Sequence, residues 1–175
     1  MLDLTQKLLD HAIGRVNVVF EQHHQLTLPA ISYVILRDGT IGCVLPIEET
    51  GKPATKQDYV EALRRTCCEL PVVAITVVSS STLTMLPKDY TPTEAAALMR
   101  LVVDGSTELP KDAVRKDIVS VIVEDTVATE LWAAEIVQQG DLPCLKSFER
   151  VLLDGSAKPT GNFTNLLACH QTAYN

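Results

Sequence analysis

Two apolar stretches rich in β-branched residues, residues 72–78 and 118–123, constrain the fold of this chain more than any other feature. Stretches of this length and composition, bounded by turn residues, are typical of buried β-strands. In the second stretch both faces are apolar apart from Ser120, which predicts a central strand that is covered on both sides. Three helix signals accompany these strands, and the combination predicts an α+β domain.

The first helix signal covers residues 4–23, where apolar residues recur on one helical face. These apolar residues are Leu8, Leu9, Ala12, Ile13, Val16, Val19 and Phe20. Because polar residues occupy the opposite face, the pattern predicts an amphipathic amino-terminal helix.

The second helix signal begins at Thr55, which forms an approximate capping box with Asp58 three residues later. Pro71 ends this helix because proline cannot continue the hydrogen-bond ladder. Its predicted buried stripe consists of Tyr59, Ala62, Leu63, Thr66, Cys67 and Leu70.

The third helix signal is stronger, since Thr91 is followed by Pro92 and Glu94 at the positions that favour a helix start. The helix is predicted over residues 92–103. Apolar residues spread over most of its circumference, which predicts that it is buried on several sides.

The strands pair through two predicted hairpins and one crossover. An Asp-Gly pair between strands 31–36 and 41–45 predicts the first hairpin, and strands 118–124 and 130–137 form the second. The second helix then links strand 41–45 to strand 72–78, which predicts a right-handed parallel β-α-β crossover and therefore a mixed sheet.

The predicted fold is a single α+β domain over residues 1–155, with a mixed, mostly antiparallel sheet of five or six strands. Helices one and two cover one face, and helix three covers the other face or meets a partner. Residues 145–153 fit an edge strand or a short helix. Residues 156–175 form a carboxyl-terminal arm, with Phe163, Leu166 and Leu167 as possible docking points.

Composition excludes several classes of partner. The 15 basic and 22 acidic residues give a net charge of −7, and no run of Lys or Arg exceeds two, so a nucleic-acid surface is not expected. No signal peptide and no apolar run of membrane-spanning length is present, which predicts a cytoplasmic protein without a membrane partner. Five cysteines without CxxC spacing, and no HExxH, predict neither disulfides, nor a metal site, nor a cofactor.

Three consecutive hydroxyls, Ser79, Ser80 and Ser81, are the candidate ligand-binding residues. They follow strand 72–78, and ligands of parallel sheets bind beyond the carboxyl ends of the strands, so the serines offer contacts for an anion. No glycine-rich phosphate loop and no GxSxG motif accompanies them. A strand that bends or continues through the serines is the favoured interpretation.

The other polar candidates are interpreted as structural. Glu124, Asp125 and Glu130 cluster at the second hairpin turn, where paired carboxylates can divide acid and base roles but where solvated turn residues are also common. Cys68 is expected on the polar side of helix two and Cys67 beside the apolar stripe, so Cys68 should react first with an alkylating reagent. The four histidines have no metal-ligand spacing.

The residues therefore predict a non-enzymatic cytosolic interaction or adaptor domain that forms a homo-oligomer and has a possible further protein partner. The alternative is a small enzyme or anionic-ligand-binding protein that uses the end of strand 72–78. Self-association is expected to involve helix three, because its apolar surface is larger than a soluble monomer usually exposes.

Overall fold

The computed structural model describes residues 3–23, 28, 30–45, 55–87, 89–151 and 166–167. Three helices and seven strands follow one another along the chain. They are α1 (Asp3–His23), β1 (Ile31–Leu36), β2 (Ile41–Val44), α2 (Lys56–Glu69), β3 (Val72–Met85), α3 (Pro92–Val103), β4 (Val114–Asp125), β5 (Thr129–Gln139), β6 (Leu142–Leu145) and β7 (Glu149–Arg150). Contacts divide the chain into two compact units, residues 82–117 and the remainder.

The strands form one sheet in the order β2-β1-β3-β4-β5-β6, with β7 also paired to β5. β1 is antiparallel to both β2 and β3, and β5 is antiparallel to β4, β6 and β7. Ser79 lies beside Ser120 and Thr82 beside Asp117, so β3 and β4 also run in opposite directions. The α+β class is confirmed, and the central position predicted for β4 is confirmed.

The predicted mixed sheet is wrong, because no two neighbouring strands in the described residues are parallel. β2 and β3 do run in the same direction, but β1 lies between them and pairs with both. The sequence predicted that β2 and β3, which precede and follow α2 in the chain, would pair with each other. The sheet instead places the first hairpin strand, β1, next to β3.

α1 and α2 pack on opposite faces of the sheet, whereas the sequence predicted both on one face. Along β1, Tyr33 and Ile35 belong to the apolar cluster with α1, and Val34 belongs to the cluster with α2. Successive side chains of a strand point to opposite faces, so the alternation assigns one helix to each face. Because the buried strands are apolar on both sides, their sequence pattern did not distinguish the two arrangements.

The amphipathic pattern of α1 is confirmed. Its most buried apolar side chains are Leu8, Leu9, Ala12, Val16 and Phe20, each 4% exposed or less. They recur at helical spacing and pack against residues of β1, β3 and β4. Burial of each Leu, Val or Phe side chain stabilises a fold by roughly 1.5–3 kcal/mol.

The predicted start of α2 is confirmed, but its buried stripe is rotated from the prediction. Thr55 and Asp58 form a reciprocal capping box. The buried residues are Tyr59, Val60, Leu63 and Cys67. Ala62 and Leu70 are exposed, because the helix turns Val60 toward the sheet in place of Ala62.

The first hairpin turns through a three-residue loop closed by a glycine. The Gly39 N–H donates to the Leu36 carbonyl, and the Leu36 N–H donates to the Thr40 carbonyl, both at 2.9 Å. Gly39 has a φ of 84°. Only glycine adopts this conformation without a steric cost, which explains the Asp-Gly signal.

β3 continues past Val78 to Met85, which confirms the favoured interpretation that the strand continues through the three serines. β4 begins at Val114, four residues before the predicted start at Ile118. Of residues 145–153, those that the structure describes, 145–151, contain the end of β6 and the short strand β7 rather than a helix. Leu166 and Leu167 are docked in the apolar cluster of α2, at 1% and 0% exposure, whereas Phe163 lies outside the described residues.

Candidate functional site

The three predicted ligand-binding serines lie inside β3 and not beyond its end. Ser79 Oγ is 3.1 Å from Ser120 Oγ, and the Ser120 hydroxyl also contacts the Ser79 carbonyl. Ser80 Oγ accepts a 2.7 Å hydrogen bond from the Leu28 N–H, and Ser81 is exposed. Two of the three hydroxyls therefore form hydrogen bonds within the protein. The anion hypothesis also depended on a parallel sheet, whose ligands bind beyond the carboxyl ends of the strands, but the neighbours of β3 are antiparallel to it.

Glu124 and Asp125 are buried, at 4% and 6% exposure, and are the last two residues of β4. The sequence predicted solvated turn residues at these positions, and that prediction is wrong. Because the two residues are consecutive in a strand, their side chains point to opposite faces of the sheet. Each carboxylate therefore holds a different part of the chain.

Asp125 connects the α1 face to the second hairpin. Its Oδ2 atom accepts a 3.0 Å hydrogen bond from the Thr5 hydroxyl, and Thr5 is buried. Its Oδ1 atom accepts from the backbone N–H groups of Val127 and Ala128, both at 2.8 Å. These bonds close the turn between β4 and β5 and fix the amino-terminal end of α1 beside it.

Glu124 holds Leu167 on the α2 face. Its Oε1 atom accepts a 2.8 Å hydrogen bond from the Leu167 N–H. Its Oε2 atom is buried and has no hydrogen-bond partner among the described residues. A buried polar atom without a partner is unfavourable for the folded state, so this residue restrains Leu167 at a cost in stability.

Glu130 differs from its two neighbours in the predicted cluster. It is half-buried and forms a 3.0 Å ion pair with Arg150, and its other oxygen accepts a hydrogen bond from the Trp132 indole. The three carboxylates therefore have three separate sets of partners. They do not converge on one position where an acid and a base could act on the same substrate.

A second polar group lies between α1 and the first hairpin. The rings of His11 and Tyr33 are 5.1 Å apart in an edge-to-face arrangement, and Tyr33 lies opposite Cys43 in the β1–β2 register. Burial raises the pKa of the Tyr33 hydroxyl, and Arg15 partly opposes that change. Burial also raises the pKa of the Cys43 thiol, so Cys43 is a poor nucleophile at neutral pH.

Tyr59 fixes α2 to the first hairpin. Its hydroxyl donates to Ser32 Oγ at 2.8 Å and lies 2.9 Å from the Val44 carbonyl. Burial raises the pKa of this phenol to about 12, so it stays protonated and acts as a hydrogen-bond donor. The sequence indicated Tyr59 only as an apolar stripe residue, since its hydroxyl partners come from other strands.

The two adjacent cysteines of α2 have the predicted exposures. Cys67 is fully buried in the apolar cluster, and Cys68 is exposed.

The unit of residues 82–117 carries the most distinctive surface of the described chain. It contributes five of the ten large hydrophobic residues that are exposed. They are Leu83, Met85, Tyr90, Leu101 and Val114. The β4 residues of this unit were not predicted as a strand, whereas the continuation of β3 agrees with the alternation of apolar Leu83 and Met85 with Thr82 and Thr84 in the sequence.

α3, the helix of this unit, is capped at both ends. Thr91 and Glu94 form a reciprocal capping box. At the carboxyl end the Gly105 N–H donates to Val102 and the Ser106 N–H donates to Leu101, with Gly105 at a φ of 71°. This is the Schellman arrangement, which satisfies the last carbonyls of the helix.

The apolar stripe of α3 is only half-buried. Its members are Ala95, Leu98, Met99 and Val102, which share one face at helical spacing. No side chain described on α3 is fully buried, and Leu101 is 48% exposed. The prediction that α3 is buried on several sides is therefore wrong for the single chain.

Comparisons with protein-family models, with curated proteins and with solved structures find no match to this chain. None of the described helices combines the length and apolar character needed to cross a membrane. In the described part of the chain, His, Cys, Asp and Glu residues do not form a group of three that could hold a metal ion.

Proposed function

We propose that the protein is a cytosolic interaction domain that self-associates through the unit of residues 82–117, with α3 at the contact. The half-buried apolar stripe of α3 is the observation that carries this proposal. The apolar stripe of α1, by contrast, is fully buried against the sheet. The stripe of α3 is therefore less completely covered than that of α1. A helix with capped ends and a partly covered apolar face is suited to binding another protein.

The polar residues support an interaction domain rather than an enzyme. Among the described residues, the serines, the carboxylates and His11 lie in different parts of the fold, and Ser79, Ser80, Glu124 and Asp125 form hydrogen bonds within the chain. An active site needs such groups to meet at one accessible position.

The proposal is tested by sedimentation velocity on the full chain at tens of micromolar. Met99→Asp places a charge in the half-buried apolar stripe of α3, and Ala97→Asp adds the same charge at an exposed position on the opposite side of the same helix. We expect the wild type and Ala97→Asp to sediment as an oligomer and Met99→Asp to sediment mainly as a monomer. A monomeric wild type contradicts the proposal.

A further inference from the structure

Leu166 and Leu167 are attached to the fold in the way that a groove holds a short linear peptide. Both side chains are buried, at 1% and 0% exposure, in the apolar cluster formed with β1, α2 and β3. The two residues lie in a turn and belong to none of the described helices or strands. Their main chain is fixed by the Leu167 N–H, which donates to Glu124 Oε1 at 2.8 Å. Two apolar side chains and one N–H are the contacts by which such grooves recognise a segment.

The surface that receives the two leucines is assembled by other contacts. The Tyr59 hydroxyl fixes α2 to the first hairpin through Ser32 and the Val44 carbonyl. β1 and β3 are joined by their own antiparallel pairing. Neither these bonds nor this pairing involves Leu166 or Leu167. We therefore expect the surface to keep its structure when the leucines leave it.

Glu124 gives this surface a polar group that the chain's own segment satisfies only in part. The neighbouring Asp125 uses both of its carboxylate oxygens as acceptors. Glu124 is 4% exposed, and its buried Oε2 atom has no hydrogen-bond partner among the described residues. Because buried acceptors are nearly always paired, a free oxygen on the carboxylate that holds Leu167 points to a ligand that brings a second donor.

We propose that the α2 face carries a binding site for a short peptide with two adjacent leucines, and that Leu166 and Leu167 occupy this site as an intramolecular ligand. The partner is a segment of another protein in which the second leucine has a free N–H and a further donor lies beside it. Its leucines replace Leu166 and Leu167, and its two donors satisfy both oxygens of Glu124.

The chain's own segment competes with such a partner. Because it is linked covalently to the site, it is present at a high effective concentration and blocks the site until a better-matched segment displaces it. This inference goes beyond the proposed self-association and is independent of it, since self-association involves the unit of residues 82–117.

The test vacates the site in the full chain and supplies the peptide separately. Leu166→Ser and Leu167→Ser together remove the apolar side chains of the intramolecular ligand. The probe is a fluorescent peptide with the sequence of residues 162–171. By fluorescence anisotropy, we expect its dissociation constant for the double variant to be at least about 10-fold lower than for the wild type, because the wild-type site is already occupied. The same peptide with serine in place of both leucines is the matched control and should not bind.

A double-mutant cycle assigns the polar contact to Glu124. A peptide that is N-methylated at Leu167 keeps both leucines but lacks the donor, so it should bind the double variant about 10-fold more weakly. Glu124→Ala, added to the double variant, should weaken binding of the unmodified peptide to a similar extent. N-methylation should then cause no further loss, because both changes remove the same hydrogen bond. Independent losses would contradict the assigned contact.

Hydrogen exchange provides a second test in the unmodified chain. An intramolecular ligand leaves its site by local opening, so the Leu167 N–H should exchange at least about 10-fold faster than the amides of the central strand β3, after correction for intrinsic rates. Low concentrations of urea should leave this rate unchanged, since local opening exposes little surface.

Several results would overturn the proposal. Equal binding of the peptide to the wild type and to the double variant would show that it binds elsewhere. A double variant that does not bind the peptide, or that remains unfolded by circular dichroism when the peptide is present, would show that the site does not exist apart from its own segment. A Leu167 N–H that exchanges as slowly as β3, with the same urea dependence, would show that the two leucines leave only on global unfolding.

Discussion

Glu124 shows how a single buried side chain can restrain a distant segment of this protein. The residue is 43 positions from Leu167, whose N–H it accepts, and both are buried. The bond fixes the segment that carries Leu166 and Leu167, and these two leucines complete the apolar cluster of α2. Loss of the acceptor would leave a buried N–H without a partner.

Substitutions at Glu124 should separate the role of the acceptor from that of the charge. Glu124→Gln keeps an oxygen that can accept from Leu167, so we expect its free energy of unfolding to stay within about 1 kcal/mol of the wild type. Glu124→Ala removes the acceptor and leaves a small cavity, so it should cost roughly 2–4 kcal/mol. Urea unfolding measures both values. Equal losses in the two variants would show that the hydrogen bond to Leu167 does not matter for stability.

The burial of Glu124 and Asp125 could not be predicted from local sequence. Both follow an apolar strand and precede a turn, and carboxylates at that position are usually solvated. What buries them is their set of partners, Thr5 and Leu167, which are far away along the chain. Strand alternation does predict that the two side chains point to opposite faces, but it does not say what each face will meet.

At the level of elements, α3 combines complete capping at both ends with incomplete burial of its apolar stripe. Its stripe is only half-buried, whereas both of its ends have complete capping arrangements. In most protein helices tertiary packing supplies most of the stabilisation. For α3 in the single chain, the caps therefore matter more than they would in a helix with a fully buried stripe.

Removal of the amino-terminal cap should destabilise this helix measurably. Thr91→Ala loses the side-chain acceptor for the Glu94 N–H and should cost about 1 kcal/mol, whereas Thr91→Ser keeps the hydroxyl and should cost little. Thr93→Ala, at an exposed position inside the helix, serves as a control that should be neutral or slightly stabilising. Thermal unfolding followed by circular dichroism measures the difference, and an unchanged melting temperature in Thr91→Ala would contradict it.

The starts of α2 and α3 were predictable because a capping box is local. Thr55 and Asp58, like Thr91 and Glu94, are three residues apart, and the interaction depends on nothing outside the first helical turn. The extent of β3 was harder to predict. Ser79 to Ser81 resemble a loop in composition, and they continue the strand because neighbouring segments, including Ser120 and Leu28, supply their partners.

At the scale of the whole molecule, the order of the strands was not visible in the sequence. Each hairpin could be identified from its turn, but the placement of β1 between β2 and β3 depends on long-range packing. The apolar residues of β1 and β3 cover both faces, so they fit a helix on either side. Which helix covers which face depends on the side chains that pack there. These side chains come from α1, α2 and several strands, which are far apart in the sequence.

The acid stability of the folded chain should depend on three exposed carboxylates. A backbone hydrogen bond from Thr40 lowers the pKa of Asp38, and side-chain hydrogen bonds from Thr55 and Thr91 lower the pKa values of Asp58 and Glu94. Because the folded-state pKa values are lowered, the stabilisation is fully present above the ordinary values, 3.8 for Asp and 4.5 for Glu. It is lost as the pH falls through the lowered values.

The free energy of unfolding should therefore change little through these groups above about pH 5 and fall below about pH 4. The triple variant Asp38→Asn, Asp58→Asn, Glu94→Gln removes the titrating groups, so its decrease in stability over the acid range should be shallower than that of the wild type. Urea unfolding at a series of pH values measures both slopes. Parallel curves for the two proteins would show that other carboxylates control acid unfolding.

The bond between Thr5 and Asp125 has a consequence for synthesis on the ribosome. The two residues are 120 positions apart, so at 5–20 residues per second about 6–24 s pass between the addition of the first and of the second. During that interval α1 has emerged, but the β4 residues that cover part of its apolar face, Val119, Val121 and Val123, have not been made. A nascent chain in this state exposes Leu8, Leu9 and Phe20 to solvent, so its yield in the cell should depend on chaperones that shield the emerging helix.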